Sequence, residues 1–305
     1  MMANFDVVTF GSAVVDVFAA TNVGSKSGRL DLEIGSKYLI NDIRRDIGGG
    51  GTNVAVAFSR FGFKTGCVCG VGNDSNGEEI LDLLKKEKVS FLGNVGKGST
   101  GSSVIINGKK KDRTILTFKG ESNEVGMKDV ENFKAKWIYY SSLLGKSFET
   151  QKKLAKKMVK EGSLLAFNPS AYLIRHEDIK SLLNISEVLI LNKEEGEMLC
   201  KKYGGQGNML RCLHGFGPKV VVVTDKDKAT KCFDGVKEYS IVPHKNKKVV
   251  DRTGAGDAFG AGFVAGMIAG YPMEKCLKLG VEESEALLGY FGAKNNLIKR
   301  KLVRK

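Results

Sequence analysis

The sequence of 305 residues is poor in several features that would point to particular classes of protein. It has only 4 prolines, which suits tight turns between strands and helices better than rigid linkers. Its 6 cysteines include no CxxC pair, so we expect reduced thiols rather than a disulfide framework. No apolar run reaches the ~18–20 residues that span a bilayer, and the N-terminus lacks the basic and apolar regions of a signal peptide. These absences predict a cytoplasmic protein.

Basic residues are in clear excess, since 48 lysines and arginines against 34 acidic residues give a net charge of +14. A basic surface raises the local concentration of phosphorylated ligands and can also bind nucleic acid. The densest clusters are Lys109–Lys111 with Arg113, and the tail at 299–305. Neither is interleaved with aromatic residues as a base-stacking platform would be. We therefore interpret most of the charge as solvated surface and expect neither a nucleic-acid nor a membrane partner.

The order of predicted elements indicates an α/β fold with a mainly parallel sheet and helices on both faces. Strands and helices alternate regularly from Trp137 onward. Two blocks of short strands, at about 14–47 and 95–119, interrupt this order, and the second contains an Asn-Gly hairpin turn at 107–108. We expect residues 1–305 to form one domain, with the two blocks making a small sheet that covers a cleft. The expected helices include 176–183, 257–269, 273–279 and 281–293.

Two glycine-rich loops precede predicted helices. In the first, Gly48–Gly51, each glycine costs about 0.5–1 kcal/mol against alanine in an ordered element, so either a ligand lies against the backbone or the turn is flexible. In the second, the small residues 254–256 let backbone N–H groups point into one concavity, where the helix dipole also favours an anion. Asp257 at this helix start could act on a ligand or could simply cap the helix.

Several polar turns follow predicted strands and could therefore share one edge of the sheet. Ligands of parallel α/β sheets bind at the carboxyl ends of the strands. Asn192 and Glu195, three apart at a helix start, could face one ligand or a metal-bound water, although a simple helix cap would use the same residues. Asp16 lies in a β-branched run, where an unpaired buried carboxylate would be costly. The turns in question are Gly11-Ser12, 70–77, Asn168, Asn192 and 251–257.

Three segments resemble the signatures of the ribokinase family of carbohydrate kinases, the PfkB superfamily. They are GGGGTNVAVAFSRFG at 48–62, LNKEEGEML at 191–199 and DRTGAGDAFGAGF at 251–263. They occur in the family's order and spacing, and the resemblance extends over 11–296. It implies a ribokinase-like three-layer sandwich with a mainly parallel central sheet and a small β-sheet lid over the acceptor. In this family the lid can also form a homodimer contact.

The resemblance implies an ATP-dependent phosphotransferase that phosphorylates a hydroxymethyl group of a sugar. A nucleoside (adenosine-like) acceptor, or a non-catalytic sensor that binds a sugar or nucleotide, are the alternatives. Asp257 matches the base that takes the proton from the acceptor hydroxyl, and the amides of Gly254, Ala255 and Gly256 match an anion hole for the phosphoryl group. The residues that match or could supply acceptor contacts are Asp16, Gly48, Gly49, Asn53 and Arg113.

The resemblance also implies nucleotide and ion sites. Asn192 and Glu195 match positions that organise hydrated Mg²⁺, which prefers oxygen ligands. Asp251 and Thr253 lie where some members hold a monovalent cation such as K⁺. The loop 224–229 lacks both glycines of the usual T-x-G-x-x-G pattern. The nucleotide positions implied are Asn192, Thr224, Lys226, Gly254, Gly256 and Asn296.

Overall fold

A computed structural model describes residues 3–26, 29–109, 113–244 and 249–302 of the chain. The described residues form the following strands: β1 (Ala3–Phe10), β2 (Val14–Thr21), β3 (Ser25–Lys26), β4 (Arg29–Leu30), β5 (Ile40–Gly48), β6 (Thr65–Val68), β7 (Gly70–Gly72), β8 (Ser90–Phe91), β9 (Asn94–Gly96), β10 (Gly101–Asn107), β11 (Arg113–Phe118), β12 (Phe133–Ser141), β13 (Leu164–Asn168), β14 (Val188–Asn192), β15 (Val220–Thr224), β16 (Thr230–Phe233) and β17 (Glu238–Ile241). The α-helices are α1 (Gly50–Arg60), α2 (Ser75–Lys86), α3 (Gly145–Lys160), α4 (Ala171–His176), α5 (Lys180–Leu183), α6 (Lys193–Lys202), α7 (Met209–His214), α8 (Ala255–Ile268) and α9 (Met273–Leu288), with single 3₁₀ turns at Gly120–Asn123 and Met127–Asp129.

The central sheet has the strand order β17-β16-β15-β14-β13-β12-β1-β6-β8. The pairs from β15 through β8 are parallel, and only β15–β16 and β16–β17 are antiparallel. Parallel strands that are buried on both faces need apolar residues at successive positions, and β14 and β15 consist largely of valine, leucine and isoleucine. The mainly parallel sheet predicted from the sequence is confirmed.

Helices cover both faces of this sheet, which makes the three layers of the sandwich. Because side chains alternate along a strand, Trp137 and Tyr139 of β12 pack with α1, α8 and α9, whereas Ile138 and Tyr140 pack on the other face with α3 to α7. Helix α8 is apolar on all sides because α1 and α9 enclose it as well. The expected three-layer architecture is confirmed.

A second sheet of four strands, in the order β11-β10-β2-β5, comes from the two blocks that interrupt the alternation. Strand β2 pairs in parallel with β10 and antiparallel with β5, so its residue Asp16 stands beside Ser103 and Asp46. We call this sheet the lid. Ile43, Ile115 and other apolar side chains on it are exposed. A dimer contact through the lid, and the division into one domain with an inserted lid, stay predictions.

Some expected element bounds were wrong. The helices predicted at 273–279 and 281–293 are one helix, α9, because Gly280 packs against Phe259 within the helix rather than ending it. The helix predicted at 176–183 is two short helices that are separated at 177–179. The alternation of polar and apolar residues between 30 and 39 does not produce a strand of the lid. The next strand after β2 that joins the lid is β5, and β3 and β4 form a separate pair of two residues each. Residues 110–112 and 303–305, part of the two basic clusters, lie outside the described residues.

Over the described ranges, no helix combines the length and the apolar character needed to cross a membrane.

Candidate active site

The N-terminus of α8 is the point where the polar turns of the sheet edge meet. Gly254 precedes the helix with φ 76°, a left-handed conformation that glycine adopts without strain, and no side chain caps the helix there. The first N–H groups of a helix have no partner within it. That of Ala255 donates to the carbonyl of Arg252 at 3.3 Å, which leaves those of Gly256 and Asp257 to face a ligand. Asp257 lies in the first turn but does not cap it, because its Oδ2 instead accepts a hydrogen bond of 2.7 Å from Nδ2 of Asn53. The simple capping alternative is therefore not what the fold uses.

Asp257 is half-buried, and its surroundings act on its pKa in both directions. Burial raises the pKa of this carboxyl, while the hydrogen bond from Asn53 and the positive charge of Lys294 lower it. The net direction is upward from the ordinary value. A carboxyl with a raised pKa is a better proton acceptor once it is ionised.

The four-glycine loop brings Asn53 to this position. Gly49 has φ 95°, and a Cβ there would stand 2.3 Å from the carbonyl oxygen of Ser12. The Gly51 amide donates to the same oxygen at 3.0 Å. The loop thus packs against the turn after β1, and the glycines at 49 and 51 are explained by the protein itself rather than by a ligand. Gly50, in contrast, faces a cavity.

That cavity has a volume of about 340 Å³, and we call it the Asp257 cavity. Hydroxyl and amide side chains dominate its wall, and none of the described residues that line it is aromatic. Lys119 adds a half-buried ammonium group, whose pKa is lowered by burial and raised by Asp16. The lining residues are Ser12, Gly50, Lys119, Ser141, Ser142, Asn168, Pro169, Ser170, Ile190, Leu191, Asn192, Glu195, Thr224, Arg252, Gly254, Ala255, Gly256 and Asp257.

A second cavity of about 690 Å³ opens on the other side of the same helix start, and we call it the His244 cavity. Apolar residues such as Phe259 and Leu288 form part of its wall. His244 lies at its edge, where Nδ1 is 2.9 Å from Oε2 of Glu285. Five residues line both cavities, so the two meet at the start of α8. The shared residues are Asn192, Thr224, Arg252, Ala255 and Gly256.

Asn192 and Glu195 form a reciprocal cap at the start of α6. The Asn192 side chain accepts from the Glu195 amide at 2.9 Å, and Glu195 Oε2 accepts from the Asn192 amide at 2.9 Å. Glu195 Oε1 accepts from the Ala171 amide at 3.1 Å. Burial raises the pKa of Glu195, although these backbone hydrogen bonds lower it. Both side chains line the Asp257 cavity, and their oxygens are hard donors that suit hydrated Mg²⁺.

The residues matched to acceptor contacts lie beside this cavity in different ways. Asp16 is buried at the lid, and its Oδ2 comes so close to Gly48 that a Cβ there would stand 2.0 Å away. Burial raises the pKa of Asp16, while Ser103 and Lys294 lower it. Asp16, Gly48, Gly49 and Asn53 do not line the Asp257 cavity directly, and only Asn53 contacts Asp257.

Arg113 stands at the other cavity. Its Nη1 donates to Oγ1 of Thr253 at 3.1 Å and lies 3.8 Å from Oδ1 of Asp251. Oδ1 of Asp251 also accepts from the amide and hydroxyl of Thr253, and Oδ2 accepts from the Gly292 amide at 3.2 Å. The Asp251 carboxylate is therefore already surrounded by donors and a guanidinium, so this set does not fit a bound monovalent cation.

The remaining residues that match nucleotide positions do not all lie in the same place. Thr224 lines both cavities, and Lys226 lines the His244 cavity with its Nζ 2.7 Å from Oε1 of Glu194. Asn296 lines neither, and its amide donates to the carbonyl of Ala286 at 2.9 Å. Its backbone φ of 63° lies in the left-handed region.

Sequence reasoning missed several polar residues of the site. Ser141 and Ser142 follow β12 just as Asn168 follows β13, so the rule that ligands bind at strand carboxyl ends could have found them. Lys119 and Lys294 carry no local signal, because the chain contains many exposed lysines in similar contexts.

The central sheet, its two layers of helices and the two adjoining cavities define a three-layer α/β protein with a cleft at the start of α8. The family model described as pfkB family carbohydrate kinase matches residues 4–300, and the chain belongs to this family. It is a carbohydrate or nucleoside kinase, and ATP binding is expected for the family.

Relatives and solved structures agree on the family and differ in the acceptor. The chain is 28% identical over 251 residues to a cytidine kinase of Thermococcus kodakarensis, covering 80% of this chain and 88% of the relative. It is 26% identical over 305 residues to an ATP-dependent 6-phosphofructokinase of Thermoanaerobacterium thermosaccharolyticum, covering 95% and 89%. The nucleoside kinase structure of Methanocaldococcus jannaschii aligns with a TM-score of 0.80 at 21% identity, over 97% of this chain and 95% of that one.

Proposed function

We propose that this chain transfers the γ-phosphate of ATP to a hydroxymethyl group of a sugar. The observation that carries the proposal is the meeting of two cavities at one helix start, with Asp257 on the wall of one of them. Phosphoryl transfer depends mainly on positioning and charge neutralisation, and this helix start offers both. The His244 cavity, which is larger and partly apolar, suits the nucleoside of ATP, and the Asp257 cavity suits the acceptor.

In the proposed step the acceptor oxygen attacks the γ-phosphorus, and its proton goes to the carboxylate of Asp257. The bond from the γ-phosphorus to the bridging oxygen breaks, and its electron pair leaves with ADP. Amides of the first turn of α8 and the guanidinium of Arg252 stabilise the charge on the transferred group. Asn192 and Glu195 would hold hydrated Mg²⁺, which would supply positive charge to the phosphate oxygens.

A sugar is favoured over a nucleoside by the chemistry of the Asp257 cavity. Ser12, Ser141, Ser142 and Ser170 offer hydroxyl groups, which match the many hydroxyls of a sugar. A nucleobase gains much of its binding from aromatic side chains, and the described lining residues include none. The volume of about 340 Å³ also lies at the small end for ligand pockets, which are roughly 300–1,000 Å³.

A nucleoside acceptor is the second candidate, because one relative is named a cytidine kinase and one similar structure a nucleoside kinase. The test is to measure kcat/KM with ATP and Mg²⁺ for sugars, phosphosugars and nucleosides in parallel. We expect the highest value for an unphosphorylated or phosphorylated sugar, and cytidine or adenosine above all sugars would establish the second candidate instead. Thermal stabilisation by a ligand without any turnover would point to a sensor.

We infer that the enzyme works without K⁺, because the guanidinium of Arg113 already stands beside Asp251 and Thr253. Rates in potassium, sodium and choline chloride at equal ionic strength should agree within about twofold. A requirement for K⁺ would show that Arg113 moves away when the substrates bind.

A further inference from the structure

The loop after α9 sends one lysine into the interior behind the wall of the Asp257 cavity. Lys294 is only 4% exposed, although its neighbours Asn295 and Asn296 are exposed. A buried ammonium group is costly unless its protons are hydrogen-bonded. Its Nζ donates to the carbonyl of Ile47 at 2.5 Å and to Oδ1 of Asn53 at 2.5 Å.

The contact with Asn53 decides which way that amide points. Lysine has only N–H donors, so it must face the oxygen of the Asn53 side chain and not its nitrogen. The nitrogen is thereby directed to Asp257, where Nδ2 donates to Oδ2 at 2.7 Å. With the amide reversed, two oxygens would face each other across this distance. The chain Lys294–Asn53–Asp257 therefore has one arrangement in which every member is satisfied.

Charged groups face Lys294 from several elements. The carboxylates are Asp16 of β2, Asp46 of β5 and Asp257 of α8, and the thiol of Cys67 on β6 is near as well. Burial lowers the pKa of Lys294 to about 8, while these carboxylates raise it. The charge of Lys294 in turn lowers the pKa of all three carboxyls against the effect of burial.

The backbone of Lys294 is held independently of its side chain. Nη1 of Arg60 donates to the Lys294 carbonyl at 2.7 Å. Arg60 is in turn paired with Glu87, with Nε to Oε2 at 3.0 Å and Nη2 to Oε1 at 2.6 Å. A change of the Lys294 side chain should therefore leave the loop in place.

We propose that Lys294 is a positioning residue for phosphoryl transfer: its ammonium group orients the Asn53 amide, and Asn53 then holds the Asp257 carboxylate against the acceptor. The role in catalysis rests on the proposed function, since it takes Asp257 as the base. The orientation of Asn53 and the effect on Asp257 do not depend on which acceptor is used.

The experiment compares the full-length chain with three variants. Lys294→Met removes both the charge and the donors at similar length, Lys294→Gln keeps an N–H donor for Asn53 without the charge, and Lys299→Met changes an exposed lysine of the same loop. We expect Lys294→Met to lower kcat about 10-fold to 100-fold, as misplacement of a catalytic group does, with the KM for ATP within twofold of wild type. Lys294→Gln should lose less, and Lys299→Met should match wild type.

Two further readouts separate positioning from a structural role. In both Lys294 variants the acid limb of the profile of kcat/KM against pH should move to higher pH, because the cation that lowers the pKa of Asp257 is gone. The pKa of Asp257, followed by ¹³C NMR of its carboxyl carbon, should be higher in Lys294→Gln than in wild type. This titration needs no turnover, so it tests Lys294 even if the proposed function fails.

The proposal is overturned if Lys294→Met keeps kcat within twofold of wild type. A loss of kcat without a change in the acid limb or in the Asp257 titration also overturns it, since that would be a general loss of structure. If Lys294→Met does not fold, the NMR titration of Lys294→Gln decides alone. If the wild type is inactive but the titration of Asp257 still shifts in Lys294→Gln, the proposed function is refuted, whereas the effect of Lys294 on Asp257 is supported.

Discussion

Behind the Asp257 cavity Lys294 is buried and bonded to fixed partners, whereas the Lys226–Glu194 pair at the His244 cavity is exposed to water. Lys294, 4% exposed, donates to two protein oxygens, and Asn53 carries its effect to Asp257. Lys226, with 70% of its side chain exposed, is paired with a Glu194 side chain that is 58% exposed.

Exposed ion pairs contribute about 0–1 kcal/mol, whereas breaking a buried, bonded pair costs about 3–5 kcal/mol. Lys226 pairs with Glu194, and Arg252 lies 3.4 Å from Asp227, so the contacts on the side that we propose for the nucleotide are exposed and weak. The acceptor side depends on a fixed set of buried groups.

The largest effect is expected when the half-buried carboxylate of Asp257 is neutralised. Asp257→Asn should lower kcat about 10²–10⁴-fold, because general-base help is lost, while ATP and the acceptor still bind. Asp227→Asn at the exposed side should change kcat/KM for ATP by at most about fivefold. Steady-state kinetics with calorimetric binding would check both, and more than a tenth of wild-type kcat in Asp257→Asn would count against the base.

Two adjacent acids in the first turn of α6 allow the same comparison between a less exposed and a more exposed side chain. Glu195 is held by two backbone amides, and the amide group of Glu195→Gln would turn a donor toward one of them. We expect the Mg²⁺ concentration for half-maximal rate to rise about 10–100-fold in this variant. Glu194→Gln, which changes an exposed acid, should leave it nearly unchanged. Equal shifts of this Mg²⁺ concentration in the two variants would show that the exposure of the acid makes no difference here.

A buried carboxyl that lies away from both cavities allows the free-energy cost of burial to be measured. Burial raises the pKa of Glu283 to about 7, although the Ile298 amide donates to its Oε2 at 2.9 Å. The folded chain therefore keeps this proton to a higher pH than the unfolded chain, and stability falls as pH rises from about 4.5 to about 7. Glu283→Gln should be more stable than wild type by on the order of 2 kcal/mol at pH 8 and by little at pH 4.5. Urea unfolding at both pH values tests this, and a gain that is the same at both would exclude titration of Glu283 as its cause.

The smallest effect is expected at the exposed pair. Lys226→Ala should raise the KM for ATP by at most about fivefold, since the pair with Glu194 is solvated. Initial rates over a range of ATP concentrations measure it, with Lys299→Ala as the control. An increase of more than about tenfold would mean that Lys226 contacts the nucleotide directly.

Local sequence was sufficient to predict the fold and the centre of the site. The apolar runs of β14 and β15 are long enough to specify buried parallel strands, and the small residues before Asp257 specify an open helix start. The spacing of the motifs also predicted that Asn192 and Glu195 share one edge of the sheet; both line the Asp257 cavity, and their role there stays a prediction.

The remaining features depend on tertiary packing that no local pattern carries. Lys294 lies shortly before a segment with five lysines or arginines at 299–305, so no local pattern distinguishes it, and its inward direction is seen in its contacts with Ile47 and Asn53. Arg113 reaches Asp251 from β11, the outer strand of the lid. The place of β11 in the lid depends on how the strands pair, which the local sequence does not show. Asn296, which matches a nucleotide position, lines neither of the two cavities, and its local sequence gives no sign of this.

The most direct test of the central claim is to identify the atom that receives the phosphate. Wild-type enzyme would be incubated with ATP, Mg²⁺ and the best acceptor of the panel, and the product examined by ³¹P and ¹H NMR, with Asp257→Asn as the blank. We predict a phosphorus signal coupled to two methylene protons, which identifies a phosphorylated hydroxymethyl group. Coupling to a single ring proton, or inorganic phosphate as the only product, would contradict the account.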